Sequence, residues 1–215
     1  MSSLVNDALI FIGSSLAVVA GVAIALRRRQ ERSILEPWAR RHGWTVGDTR
    51  ASTLGDRLTS SALTQIGHSR RLAAVIKDGS DVELFEYHFE TGLEHDRQSH
   101  RWIGVVIPTC HGFGRATFTT EPWVIAAASS PGLTRLSFAQ GIVDSRGARR
   151  SILVEDAEAL HANLVGDFGR RMESESPART WELLHDCLLG YQSGPISDEQ
   201  VGELAAAGKE LAKLI

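Results

Sequence analysis

A run of 19 residues without a charge, ALIFIGSSLAVVAGVAIAL at 8–26, constrains this chain more than any other feature, and it leads directly into Arg27, Arg28 and Arg29. At 1.5 Å of rise per residue a helix of that length covers about 28 Å, close to the thickness of a bilayer's hydrocarbon core. Ser14 and Ser15 are its only polar side chains, and their hydroxyls can bond back to the helix's own carbonyls. The stretch reads as a transmembrane helix. A cleaved signal peptide would open with basic residues and end at a small-residue cleavage site, whereas residues 1–7 hold no basic side chain and arginines close the run. Because positive flanks stay on the cytoplasmic side, residues 1–7 are expected outside and everything after residue 26 inside.

Two further readings attach to this segment. Gly13, Ala17, Gly21 and Ala25 recur every four residues and form a small-residue stripe, the pattern through which membrane helices approach closely, so a homodimer through this helix is an expectation. Arg27, Arg28, Arg29 and Arg32 mark the membrane interface and could grip anionic lipid headgroups, each charge contributing about 1 kcal/mol. Topology alone accounts for the same arginines.

Four of the 23 Lys and Arg residues precede residue 33, where the only acids are Asp7 and Glu31, which leaves 19 basic and 24 acidic side chains in the remainder. That part lacks the clustered positive excess of a nucleic-acid binder. Cys110 and Cys187 have no CxxC spacing and read as reduced, buried thiols.

The organisation expected is 1–7 outside, 8–26 in the membrane, a basic connector at 27–43 and one cytoplasmic domain at 44–215. Within the connector, SILEPWARRH at 33–42 reads as a short helix stopped by Gly43, with a break expected at Glu36 because it precedes Pro37. Trp38 and Trp44 suit either the membrane interface or packing on the domain. A hairpin is expected from 72–77 and 82–90 around Asp78-Gly79-Ser80-Asp81, with Phe85, Tyr87 and Phe89 facing the core. Further strands are expected at 102–107, 115–119, 123–127, 134–138 and 151–154. Since no helical crossover separates them, the sheet should be mostly antiparallel.

Two helices then follow. One lies between Asp156 and Met172, with Ala157, Leu160, His161, Leu164, Val165, Phe168 and Met172 on one face. The other starts at a capping box, Ser197 with Gln200, and carries an apolar stripe from Val201 to Ile215. Thr180–Tyr191, TWELLHDCLLGY, fits a helix face through Trp181, Leu184, His185 and Leu188, and equally two short strands around His185-Asp186. The fold class expected is α+β: an N-terminal transmembrane helix, then a mostly antiparallel β-sheet domain covered by C-terminal helices.

The anchor with its arginines, PWARRHGW at 37–44, VELFEYHF at 82–89 and WELLHDCLLGYQSG at 181–194 resemble membrane-anchored proteins of high-GC Gram-positive bacteria, a likeness that covers most of the chain. No activity is established for those proteins. The resemblance implies a single-pass protein of a bacterial plasma membrane.

Chemical motifs are sparse. No GxxxxGK[ST] or GxGxxG turn occurs, and Gly112-Phe113-Gly114 leads into a strand, so no nucleotide cofactor is implied. His88, His95 and His100, with Glu94 and Asp96, form the densest cluster of metal-type ligands, but their spacing is loose for one ion. His161 on an apolar helix face reads as a core residue. Cys110 and His111 are adjacent, yet neighbours on a strand point to opposite faces, which argues against a nucleophile and its base. The functional expectation is a membrane-tethered cytoplasmic binding or scaffolding domain that meets a protein partner or small ligand. Two alternatives stay open: an enzyme whose site is assembled from sequence-distant His and acidic residues, His111 included, and a sensor of anionic lipid.

Overall fold

The computed structural model describes residues 33–50, 52–109, 114–129, 137–143, 149–156, 158, 167–194 and 196–215. The expected membrane segment 8–26 with Gly13, Ala17, Gly21 and Ala25, the arginines 27, 28, 29 and 32, and Cys110, His111 and Gly112 lie outside the described residues. So do Ala157, Leu160, His161, Leu164 and Val165. Among the described residues no helix is long and apolar enough to cross a membrane.

Antiparallel pairing joins the described strands of the compact unit Leu35–Ile215. Its strands are β1 (Thr45–Gly47), β2 (His68–Lys77), β3 (Glu83–Thr91), β4 (Gln98–Pro108), β5 (Ala116–Thr119), β6 (Ser137–Val143), β7 (Arg149–Val154), β8 (Arg179–Leu184) and β9 (Cys187–Ser193). They form one nine-stranded sheet in the order β1-β2-β3-β4-β9-β8-β5-β7-β6. The α+β class is as the sequence implied.

The β2–β3 hairpin turns through the loop that Asp78-Gly79 marks. Gly79 sits at φ 86, a left-handed conformation that glycine adopts without steric cost, and the Asp78 carboxylate accepts the Ser80 amide at 2.9 Å. On β3, Phe85, Tyr87 and Phe89 do enter a core, joined by Val75, Trp102, Val106, Leu189 and Tyr191. That face is closed by α2 (Leu54–Leu58), a 3-10 turn (Ala62–Gln65) and α3 (Pro122–Ala128), which supply Leu54, Leu58, Ala62, Leu63, Val124 and Ala128.

The opposite face is buried too, which the alternating pattern of β3 did not anticipate: Leu84 and Glu86 are both 0% exposed. Over this face lie α1 (Leu35–His42), α4 (Asp167–Ser174) and α5 (Asp198–Ala212). Helix α5 packs so closely that a Cβ on Gly208 would meet Ile107 and Val105 at 3.0 Å. Phe168 of α4 meets the Phe118 ring edge-on at 5.7 Å.

Several expectations are corrected. Residues 123–127 form helix α3 and not a strand, because Pro122 occupies the first turn with its φ preset and alanines, the best helix formers, follow. No break occurs at Glu36, since Pro37 falls in the first turn of α1, where its missing N–H has no intrahelical partner to lose. Gly43 ends the helix at φ 73, as expected. Leu35, Trp38 and Ala39 are buried, and the compact unit Leu35–Ile215 includes all of α1. Trp38 packs against Trp44 and His42 and donates to the Asp198 carbonyl at 3.0 Å.

TWELLHDCLLGY is a hairpin: β8 and β9 pair from Leu184↔Cys187 outward, and His185 and Asp186 are the exposed turn. Its helix-like spacing is coincidental, arising because a strand buried on both faces is apolar in both phases. The strand expected at 134–138 is seen as β6 from Ser137 on, and the helix expected before Met172 is described from Asp167, with Phe168 and Met172 buried. The capping box is present: Ser197 Oγ accepts the Gln200 amide and the Gln200 side chain accepts the Ser197 amide.

Candidate functional site

Polar side chains converge at the outer end of β2, β3 and β4. Cross-strand register places Arg71 opposite His88 and His88 opposite Arg101, three residues on one face, with Glu86 two positions back on that same face. Strand β2 is irregular here. Its register shifts between His68 and Arg71 and again between Leu72 and Ala74, and Ser69 takes φ 51, which few non-glycine residues adopt.

Glu86 is the anchor of the group. Its Oε1 accepts from His88 Nε2 at 2.7 Å and lies 3.1 Å from Arg101 Nε, while Arg71 Nη2 lies 3.2 Å from His88 Nδ1. A carboxylate holding one imidazole nitrogen is the arrangement by which proteins fix a histidine's orientation and tautomer. Farther along, Glu90 meets His68 at 3.8 Å and Arg97 at 3.7 Å.

The three histidines of the loosely spaced cluster lie apart. His88 belongs to the face just described; His100 faces the opposite side, stacked on Phe89 at 4.9 Å with Nε2 2.7 Å from Thr91 Oγ1. His95 is exposed in the β3–β4 loop with Glu94 and Asp96. Among the described residues no group of three His, Cys, Asp or Glu side chains could hold a metal ion.

A second polar group lies inside the core and was missed from sequence. Glu182 on β8 accepts Tyr191 Oη at 2.6 Å and Ser61 Oγ at 2.8 Å on one oxygen, and the Ala62 amide at 3.0 Å on the other. Ser61 Oγ also accepts the Leu63 amide and so starts the 3-10 turn. Burial pushes the Glu182 carboxyl above the usual carboxylate range, against the opposing pull of Tyr191, Ala62, Ser61 and Arg115. Burial first, and then the Glu182 charge, raises the Tyr191 hydroxyl well above its ordinary value.

With Glu182 1% exposed and Ser61 and Tyr191 0%, this group ties the 3-10 turn to the sheet and meets no solvent. The signal that could have found it is an acid within an apolar run buried in both phases. Cys187 is comparably inert: burial, followed by Asp186, pushes its thiol up to about 12, far from a reactive thiolate.

No family model, no curated protein and no solved structure matches this chain.

Proposed function

We propose that this chain is a binding module held at a bacterial plasma membrane by residues 8–26, with residues 1–7 outside and the α+β domain in the cytoplasm. One observation carries the binding role. Strands β2 and β4 are buried along their inner length and open at one end, where His68, Ser69, Arg70, Arg71 and residues 92–99 are exposed. An exposed strand end of mixed charge, continuous with a packed sheet, is a surface a partner meets without entering the core. Attachment to a membrane raises its effective concentration for partners on the same surface.

Proximity labelling from a tag after Ile215, in cells expressing the full chain or its Arg70→Glu, Arg97→Glu double variant, tests this. A set of membrane-associated proteins labelled by the first and lost from the second is expected. A set no different from a soluble tag, or unchanged in the variant, counts against it. The same tag replaced by an enzyme active only outside the cell should be silent.

An enzyme is the second reading, favoured by the Glu86–His88 pair, since a carboxylate-oriented imidazole is the working half of many general-base sites. Hydrolysis of phosphate or acyl esters by the full chain, lost in His88→Asn, would establish it.

A further inference from the structure

Asp78-Gly79 is the one Asp-Gly pair in the sequence, and such a pair has a chemistry of its own. An aspartyl side chain carries its Cγ within reach of the next residue's amide nitrogen, and a glycine there has no Cβ to hinder the approach. Attack of the Gly79 nitrogen on Asp78 Cγ forms a C–N bond and expels the carboxyl OH, which leaves as water with the amide proton while a succinimide ring closes. Water then opens the ring at either carbonyl. One opening restores aspartate; the other leaves the chain running through the side chain as an isoaspartyl linkage, with no atom gained or lost.

The nucleophile's side of this turn is open: Gly79 is exposed, and nothing lies within 4 Å of where its Cβ would stand. The fold acts on the electrophile. A carboxylate lacks the OH that must leave, so the reaction draws on the protonated form. Asp78 Oδ2 accepts Lys209 Nζ at 2.5 Å, across 131 positions of sequence, and Oδ1 accepts the Ser80 amide at 2.9 Å and the Ser80 hydroxyl. Burial draws the Asp78 carboxyl up, but the bonds from Lys209 and Ser80 and the Lys209 charge outweigh it and hold the carboxyl below its ordinary value. Lys209 Nζ also stands over the Trp44 ring, 5.6 Å from its centroid. The neighbouring Lys77 is engaged by Glu83 at 2.6 Å, and among the described residues Lys209 is the cation that pairs with Asp78.

We propose that Asp78-Gly79 is a site of spontaneous isoaspartyl formation in this chain and that Lys209 of α5 holds the reaction back by keeping the Asp78 carboxylate paired. The consequence is structural. An isoaspartyl linkage adds a backbone carbon to the loop that sets the β2–β3 register, next to the closing pair Lys77↔Glu83.

The full chain in phosphatidylcholine bilayers is aged at neutral pH, and isoaspartate is located by peptide mapping with electron-transfer fragmentation, which separates two linkages of equal mass. Isoaspartate should appear at residue 78, slowly in the native chain and several-fold faster in Lys209→Met and Lys209→Gln, since at fixed pH the rate follows the protonated fraction of the carboxyl. Lys209→Arg, which keeps the charge, should stay near the native rate. In urea, where no ion pair survives, the native chain and these variants should share one faster rate, so a difference seen only in buffer belongs to the folded contact. Circular dichroism reports the fold of each variant, and Lys209→Gln and Lys209→Arg carry the comparison where Lys209→Met unfolds.

Absence of isoaspartate at residue 78 in both buffer and urea overturns the site. Equal rates in the folded native chain, Lys209→Gln and Lys209→Arg overturn the role of Lys209.

Discussion

Glu182 carries a carboxylate into a place without water and is met there by three donors, which is how a core tolerates a charged group type. Its folded-state value is raised, so the native state binds the proton more tightly than the unfolded chain does. The stability this group contributes is full below the unfolded value of about 4.3 and is lost as pH rises through the raised folded value. Glu182→Gln should therefore flatten the decline of the thermal midpoint on going from acid to neutral pH. An unchanged slope would show that the carboxylate titrates normally. Glycine positions are equally exacting: a Cβ on Gly190 would lie 2.1 Å from the Trp181 ring, and one on Gly104 would lie 2.1 Å from Phe85. Each glycine thus gives an aromatic from the neighbouring strand room to lie flat, one on each face of the sheet. Gly190→Ala should destabilise by about 1–3 kcal/mol as overpacking does, measured by urea denaturation.

Elements divide by how much of their cause is local. Helix α5 opens with a reciprocal cap, Ser197 and Gln200, and Ser197→Ala should cost about 1 kcal/mol. Inside the same helix Gly202 has nothing within 4 Å of where a Cβ would stand, so Gly202→Ala should stabilise by about 1 kcal/mol, the opposite sign to Gly190→Ala. For a unit of this size either change moves the thermal midpoint by about 2–4 °C, readable by calorimetry. These caps and turns were legible because their chemistry lies within four residues. Helix α3 was not: Trp123, Val124 and Ile125 suggest a strand, and the outcome turns on Pro122 before them and Ala126, Ala127 and Ala128 after. The β8–β9 hairpin is not legible in the same way, because its apolar run fits a helix face and a pair of strands buried on both faces equally well.

At the scale of the molecule, α1 joins the start of the compact unit to its end. Trp38 is 4% exposed and donates to the Asp198 carbonyl at the first turn of α5, and Arg41 pairs with the Asp198 carboxylate. A chain begun at Trp44 should therefore be less stable than one begun at Ser33 by at least the 3–5 kcal/mol typical of deleting one buried tryptophan. Equal denaturation midpoints would show that α1 is an appendage. The sequence by itself determined the antiparallel α+β class, the hairpin at Asp78-Gly79 and the cap of α5, because periodicity, turn chemistry and capping act over a few residues. The expectation of a membrane segment at 8–26 comes from the same kind of local evidence, a continuous apolar length. Only the tertiary structure decided which acids are interior and which histidines meet them. Glu182 joins Ser61 across 121 positions through the packing of the 3-10 turn on the sheet, and Arg71 joins His88 across 17 through strand pairing, neither of which a short window of sequence contains. Register sets which face Arg71, His88 and Glu182 occupy, and a slip of one residue in a strand would send its side chains to the other face.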